Sequence, residues 1–311
     1  MNMKVYQKIL ALFLVLLMSF ALSGCNVITI TKTAANMGDL DSVSADLNLD
    51  LDMDMTMMEE STPLKITVSG PLDIDLDNDK GKADLTVDLM GEKVDLLLYF
   101  EKQEDVFTIY TSADNGESWT KNETSLNDEQ EKGSSDLKAL ATIKKFADSF
   151  EETGTETVRG TDAVIYSGSI LWKDLLEGVD LASVMEAAGS AAGSASGTPL
   201  DLSGMDLTAL GSIPVTIGFD KENDLIVKGS VDLTETVQNL IPMVMKVAMQ
   251  SIAAQSGMEG MEGMEDFDLS ALGFNLDIHT LTVSAELYNF DAVGEITIPP
   301  EALAAETAAA A

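Results

Sequence analysis

Between positions 43 and 57 the chain alternates without a break. Val43, Ala45, Leu47, Leu49, Leu51, Met53, Met55 and Met57 take one parity, and Ser44, Asp46, Asn48, Asp50, Asp52, Asp54 and Thr56 take the other. A period of two over this length predicts a long strand with one buried face and one wet face. The pattern returns in Leu64, Ile66, Val68, Leu72, Ile74 and Leu76. It returns again in Ala83, Leu85, Val87 and Leu89, and in Val94, Leu96, Leu98 and Phe100. Asp77-Asn78-Asp79-Lys80-Gly81 and Gly91 separate these runs as turns. Residues 107–111 predict a fifth strand, closed by Asp114-Asn115-Gly116, and Trp119 opens a short sixth. The reading is a series of antiparallel hairpins.

The period then lengthens. Over 134–152, Leu137, Leu140, Ala141, Phe146, Ala147 and Phe150 fall on one helical face, with Ser135 and Asp136 at the capping end. Residues 157–170 read as one strand, 172–188 as a helix, and 189–197 as a Gly/Ala/Ser loop. Residues 213–219 and 225–233 form a hairpin around an Asp/Asn-rich turn. A second strong helix spans 234–255. Nearly every residue from 240 to 249 is apolar, Pro242 and Lys246 excepted, so this helix is buried or covers an apolar space. Residues 257–265 repeat Gly-Met-Glu and are low in complexity. Residues 276–287 and 295–298 read as closing strands, ended by Pro299-Pro300, and the last alanines are a tail.

At the start of the chain an apolar run, 9–22, follows Lys4 and Lys8 and leads into Leu22-Ser23-Gly24-Cys25. This is the layout of a secretory signal, and the run is short of the ~20 residues a permanent span requires. The ending resembles the lipobox of bacterial lipoproteins. That resemblance implies removal of 1–24, a lipid on Cys25 and attachment to the outer side of a cell membrane. Residues 25–36 then form the lipidated end and a polar spacer.

Charge narrows the partners. Asp and Glu number 53 against 18 Lys and Arg, a net charge of −35 in 311 residues. Such a chain repels nucleic acid and anionic lipid surfaces. Cys25 is the only cysteine; with its sulfur lipidated there is no disulfide, thiolate metal site or cysteine nucleophile. His279 is the only histidine, so no histidine pair can hold zinc, and no Gly-x-Ser-x-Gly accompanies it; its expected role is structural. Asp73, Asp75, Asp77 and Asp79 alternate as calcium ligands sometimes do. The positions that an EF-hand fills with Gly and Glu hold Asn78 and Asp84, or Lys80 and Thr86. No cofactor or metal is expected. No carboxylate pair stands out for hydrolysis, and Trp119 and Trp172 sit where amphipathic rings cap the edge of a core. The expected protein is not an enzyme.

The order of elements, with several short motifs, resembles the LolA/LppX-like lipoproteins, closest to a Gram-positive branch. The motifs are Leu40-Asp41-Ser42-Val43-Ser44-Ala45, Asn115-Gly116-Glu117-Ser118-Trp119-Thr120-Lys121, and Val158-Arg159-Gly160-Thr161-Asp162-Ala163 with Tyr166. Tyr288-Asn289 and Ile298-Pro299-Pro300-Glu301-Ala302 complete the set. The resemblance implies an α+β fold: a strongly curved antiparallel sheet, a half-barrel, with helices covering its concave face and lipid chains held between. It covers one domain over 37–303, with inserts near 187–212 and 256–272 and a tail at 304–311. The expected function is non-enzymatic binding of a lipid or other hydrophobic ligand. Leu49, Leu51, Met53, Leu96, Leu98, Phe146, Phe150, Met245 and Met249 are the candidate lining residues, chosen by face and bulk. Two rival readings remain: an interaction module whose acidic face docks a partner or cell-wall component, and an acidic face that buffers metal.

Overall fold

The computed structural model describes residues 36–37, 39–57, 60–104, 106–125, 149–172, 210–255 and 274–307. The strands are β1 (Ser42–Met57), β2 (Glu60–Asp75), β3 (Lys80–Leu89), β4 (Glu92–Gln103), β5 (Val106–Ser112) and β6 (Thr120–Ser125). They continue as β7 (Phe150–Val158), β8 (Thr161–Leu171), β9 (Ser212–Asp220), β10 (Ile226–Asp232) and β11 (Phe274–Tyr288). Among the described residues two helices accompany them, α1 (Thr234–Gln255) and the short α2 (Pro300–Leu303). All the strands join one open antiparallel sheet in the order β6-β5-β4-β3-β2-β1-β11-β10-β9-β8-β7. Two meanders grow outward from the β1–β11 seam, so the first and last strands lie side by side at the centre.

The apolar parity of β1 carries one face of the sheet. On one wing Ala45, Leu47, Val68, Leu72, Ala83, Leu85, Leu98 and Phe100 form a buried cluster. On the other, Phe150, Ile170, Ile213, Val215, Ile217, Phe219, Val231, Leu233 and Val283 form a second. Leu49 packs against both, so the two clusters are one continuous face. Close packing across the strands is permitted by missing side chains. A Cβ on Gly81 would lie 1.9 Å from the Phe100 ring. One on Gly70, at φ 151°, would lie 2.1 Å from the Asp84 carbonyl oxygen.

Register across the central seam depends on a bulge. In β11 the apolar residues are Phe274, Leu276 and Ile278, then Leu281, Val283, Ala285 and Leu287. The parity changes at His279-Thr280. A regular ladder would turn one half of the strand inside out. The pairing instead steps from Asp52↔Thr280 to Met53↔Ile278, leaving His279 as the extra residue. Leu276 and Ile278 in one half, and Leu281, Val283, Ala285 and Leu287 in the other, thereby stay on the β1 apolar face.

The opposite face is polar, and the C-terminal segment crosses it. The Asp291 and Val293 N–H groups bond to the Ser42 carbonyl and hydroxyl oxygens. Phe290 packs on Val158, Ala163, Val227 and Ile165. Ile298 and Ala302 pack on Tyr110, Tyr99 and Trp119, and Thr307 bridges to Lys121 on β6. Residues 295–298, expected as a closing strand, join no strand ladder. They bury Ile296 and Ile298 instead, because β1 and β11 already pair with strands on both sides.

Two further expectations are corrected. Residues 157–170 are the end of β7 and most of β8, joined by a two-residue turn with Arg159 at φ 51° and Gly160 at φ 90°. Phe150, placed on a helical face, begins β7 and is buried in the sheet core. β7 is an edge strand with apolar residues only at its ends, so it shows no alternation, and Phe150 had matched the helical period by chance. The rest of the 134–152 helix, and the 172–188 helix beyond Trp172, lie outside the described residues. Coverage of a concave face by several helices is therefore not described; one long helix, α1, packs against β11 and β9.

Candidate binding face

Burial of the apolar face changes along β1. Val43, Ala45 and Leu47 are buried, whereas Leu49, Leu51, Met53 and Met55 are only half-buried. The neighbours Leu64 and Ile66 on β2, Leu89 on β3, and Leu276 and Leu281 on β11 are half-buried too. The apolar surface thus runs on past the packed core toward the end of the sheet that carries the β1–β2 and β3–β4 turns. The chain enters at the other end, where the Asn36 side-chain amide donates to the Asn223 carbonyl at 2.9 Å. At about 3.3 Å per residue, β1 separates the two ends by roughly 50 Å.

Helix α1 is fastened over β11 where β10 has ended. Thr234 Oγ1 accepts the Leu281 N–H at 2.8 Å, and Gln238 Nε2 donates to the Ile278 carbonyl at 2.8 Å. Side chains of α1 thereby satisfy backbone groups that no strand reaches. Trp172 Nε1 donates to Thr236 Oγ1 at 2.9 Å and ties the end of β8 to the same helical turn. Pro242 follows; it has no N–H to offer its own helix.

The candidate lining residues separate into groups. Leu49, Leu51, Met53 and Leu96 are half-buried on the apolar face. Leu98, only 2% exposed, and Phe150, 5% exposed, are core residues of opposite wings. Phe146 lies outside the described residues. Met245 and Met249 belong to α1, but their side chains lie outside the described set. The sequence reading missed Gln238 and Thr234. Their signal was available: two polar residues, one turn apart, on a helix otherwise chosen for its apolar character.

The singled-out polar residues serve the other face. His279 Nε2 is 3.2 Å from Asp54 Oδ2. The hydrogen bond with Asp54 raises the pKa of the imidazole; Asp277, Asp54 and Asp52 add to this through charge, and desolvation opposes it. Asp73 accepts a hydrogen bond from the Ser44 hydroxyl at 2.6 Å, and Asp75 accepts from the Asn78 backbone and side chain. Trp119 donates to the Gly116 carbonyl and meets Tyr99 edge-on at 5.7 Å. The Tyr110 hydroxyl donates to Glu101 at 2.8 Å; burial, and then that carboxylate, raise the phenol's pKa.

The motifs that carried the family resemblance meet on this polar face. Arg159 pairs with Asp46 and lies 3.6 Å over the Tyr288 ring, while the Tyr288 hydroxyl donates to Asp46 at 3.2 Å. Four strand spacings of a flat sheet would place β8 roughly 19 Å from β1. The contact from the β7–β8 turn shows that the sheet is coiled at this end.

The class defined by this geometry is an open, coiled antiparallel sheet with one apolar face partly covered by a helix. Three solved structures are similar to the chain over much of its length. Its match to the Mycobacterium tuberculosis lipoprotein LppX covers 87% of this chain and 97% of that one, at 9% identity and a TM-score of 0.38. The match to LprF from Mycobacterium bovis covers 88% and 95%, at 12% identity and a TM-score of 0.37. An outer membrane lipoprotein-sorting protein domain from Vibrio parahaemolyticus matches over 67% of this chain and 76% of its own, at 8% identity and a TM-score of 0.18. No protein-family model matches the chain, and no curated protein sequence does.

Proposed function

We propose that this is a membrane-anchored extracytoplasmic lipoprotein, tethered through lipid on Cys25, that binds a lipid or similar amphiphile without transforming it. One observation carries the reading: the apolar face extends beyond the packed core, half-buried, from Leu49 to Met55 and across to Leu64, Ile66 and Leu89. An acyl chain laid along that face would remove apolar area from water, at ~25 cal/mol per Å². The methionines of β1 and α1 suit a surface that adapts to chains of different shape. Phe146, Met245 and Met249 would complete the lining. The setting inferred from the motifs is the outer face of a Gram-positive membrane.

The test is native mass spectrometry and solvent extraction of the chain from Asn26 onward. The expected result is a co-purifying acyl lipid whose occupancy falls in Leu51→Asp and Met53→Asp variants that still fold. A lipid-free protein whose melting temperature no added lipid raises would overturn the reading. If it instead pulled down a cationic partner in a salt-dependent way, the acidic face would be the functional one.

A further inference from the structure

Sheet edges are hazards, and this sheet blunts several of them. β7 carries a bulge between Glu152 and Gly154. The outer side of β6 receives Thr307. β2, where it runs past β3, contains Pro63. β11, where it runs past β10, is capped by Thr234 and Gln238. One stretch has neither bulge, proline nor cover among the described residues. β5 first pairs with β4 at Leu97↔Ser112, so residues 92–96 pair with β3 alone. Here Val94 is 48% exposed and Met90, at the adjoining turn, 58%. Met90 has φ 55° and is the only apolar residue among the described non-glycine residues with positive φ. The turn is held locally, by the Gly91 N–H on Asp88 at 2.8 Å and the Met90 N–H on the Lys65 carbonyl at 2.9 Å, which leaves the Met90 side chain outside.

We infer that this free edge of β4 pairs antiparallel with the same edge of a second copy of the chain, centred on Val94. In a two-residue hairpin closed at Leu89↔Glu92, the backbone groups of Lys93 and Asp95 point away from β3. A twofold axis at Val94 sets Lys93 of each copy opposite Asp95 of the other, so both backbone pairs close and both side-chain pairs carry opposite charge. Val94 then meets its counterpart on the apolar face, and the pairing stops short of Leu97, where β5 takes over the edge of each copy. Lys93 would repel most intruding strands; the self-pairing supplies an acid opposite it. The interface is small, so the association is of the transient class. Mutual repulsion of two chains of net charge −35 makes it strongest in moderate salt.

The test is sedimentation equilibrium of the chain from Asn26 onward, in moderate salt, over a wide concentration range. The wild type is expected to show a monomer–dimer equilibrium. Lys93→Asp and Asp95→Lys should each weaken it about tenfold by setting like charges opposite one another. The double variant K93D/D95K should restore it. As a second measurement, amide exchange at Lys93 and Asp95 should slow as protein concentration rises. A wild type that stays monomeric, single variants that dimerise unchanged, or a double variant that fails to recover would each overturn the inference. Lipid occupancy measured on the same samples reports on the binding face separately.

Discussion

At the scale of single residues, glycine positions show how closely this sheet is packed. A Cβ at Gly81 meets the far end of the Phe100 ring, which can turn aside. A Cβ at Gly70 meets the backbone of Asp84 and Leu85, which cannot, and Gly70 also holds a φ that other residues rarely adopt. Both alanine variants should lower stability in urea titrations, Gly81→Ala by about 1–3 kcal/mol and Gly70→Ala by more. His279 offers a test by pH. Its folded pKa is raised, above all by Asp54. The stabilisation is therefore fully present below the unfolded value, near 6.5, and is lost as pH rises through the folded value. The stability difference between wild type and His279→Gln should shrink as pH rises from below the unfolded value to beyond the folded one; a difference that grows would contradict the pairing. Asp114 behaves in the opposite sense. Hydrogen bonds from Ser118 and Ser112 lower its pKa to about 2, so its contribution is present above the unfolded value of 3.8 and is lost as pH falls toward 2.

At the scale of elements, the β11 bulge and the α1 fastening explain how two different periods meet. Deleting His279 would bring Ile278 and Leu281 into the same alternation and remove the step in register. That deletion should leave a cooperatively folding protein, whereas deleting Ser284 should turn one end of β11 inside out and abolish cooperative unfolding. Circular dichroism melts distinguish the two. Thr234→Val keeps the volume but leaves the Leu281 N–H without its acceptor, and should cost about 1–3 kcal/mol. The strand pattern of this region was legible along the chain, and so was α1. The bulge left a signal, two consecutive polar residues in an alternating run, that the reading of 276–287 as one closing strand passed over. The β7–β8 turn was not legible, because Arg159 is an unusual choice for positive φ; its compensation, stacking on Tyr288 and pairing with Asp46, comes from strands far away in sequence.

At the scale of the whole molecule, charge and the apolar face act in opposite directions. Sparse cations leave the acidic surface largely uncompensated, so added salt should raise the melting temperature by screening self-repulsion. A scan across ionic strength checks this, and a fall in melting temperature would mean that ion pairs such as Lys228–Glu156, at 2.8 Å, outweigh the repulsion. The family-like motifs proved to be fastenings of the polar face: the Ser42 contacts, the Arg159–Tyr288 stack, the Trp119 turn and the Ile298–Ala302 packing. They mark how the sheet is held; of the motif residues, Ala45 and Tyr166 belong to the packed part of the apolar face instead.

Alternation in the chain determined which residues share a face, because side chains in a strand point to opposite sides with a period of two. It determined the hairpins of the first wing as well, since their turns are local. Only the tertiary structure decided that β1 and β11 close the seam, that the C-terminal segment crosses the polar face, and that the apolar face outruns its core. Those outcomes depend on pairings between residues more than two hundred positions apart, which no local period encodes.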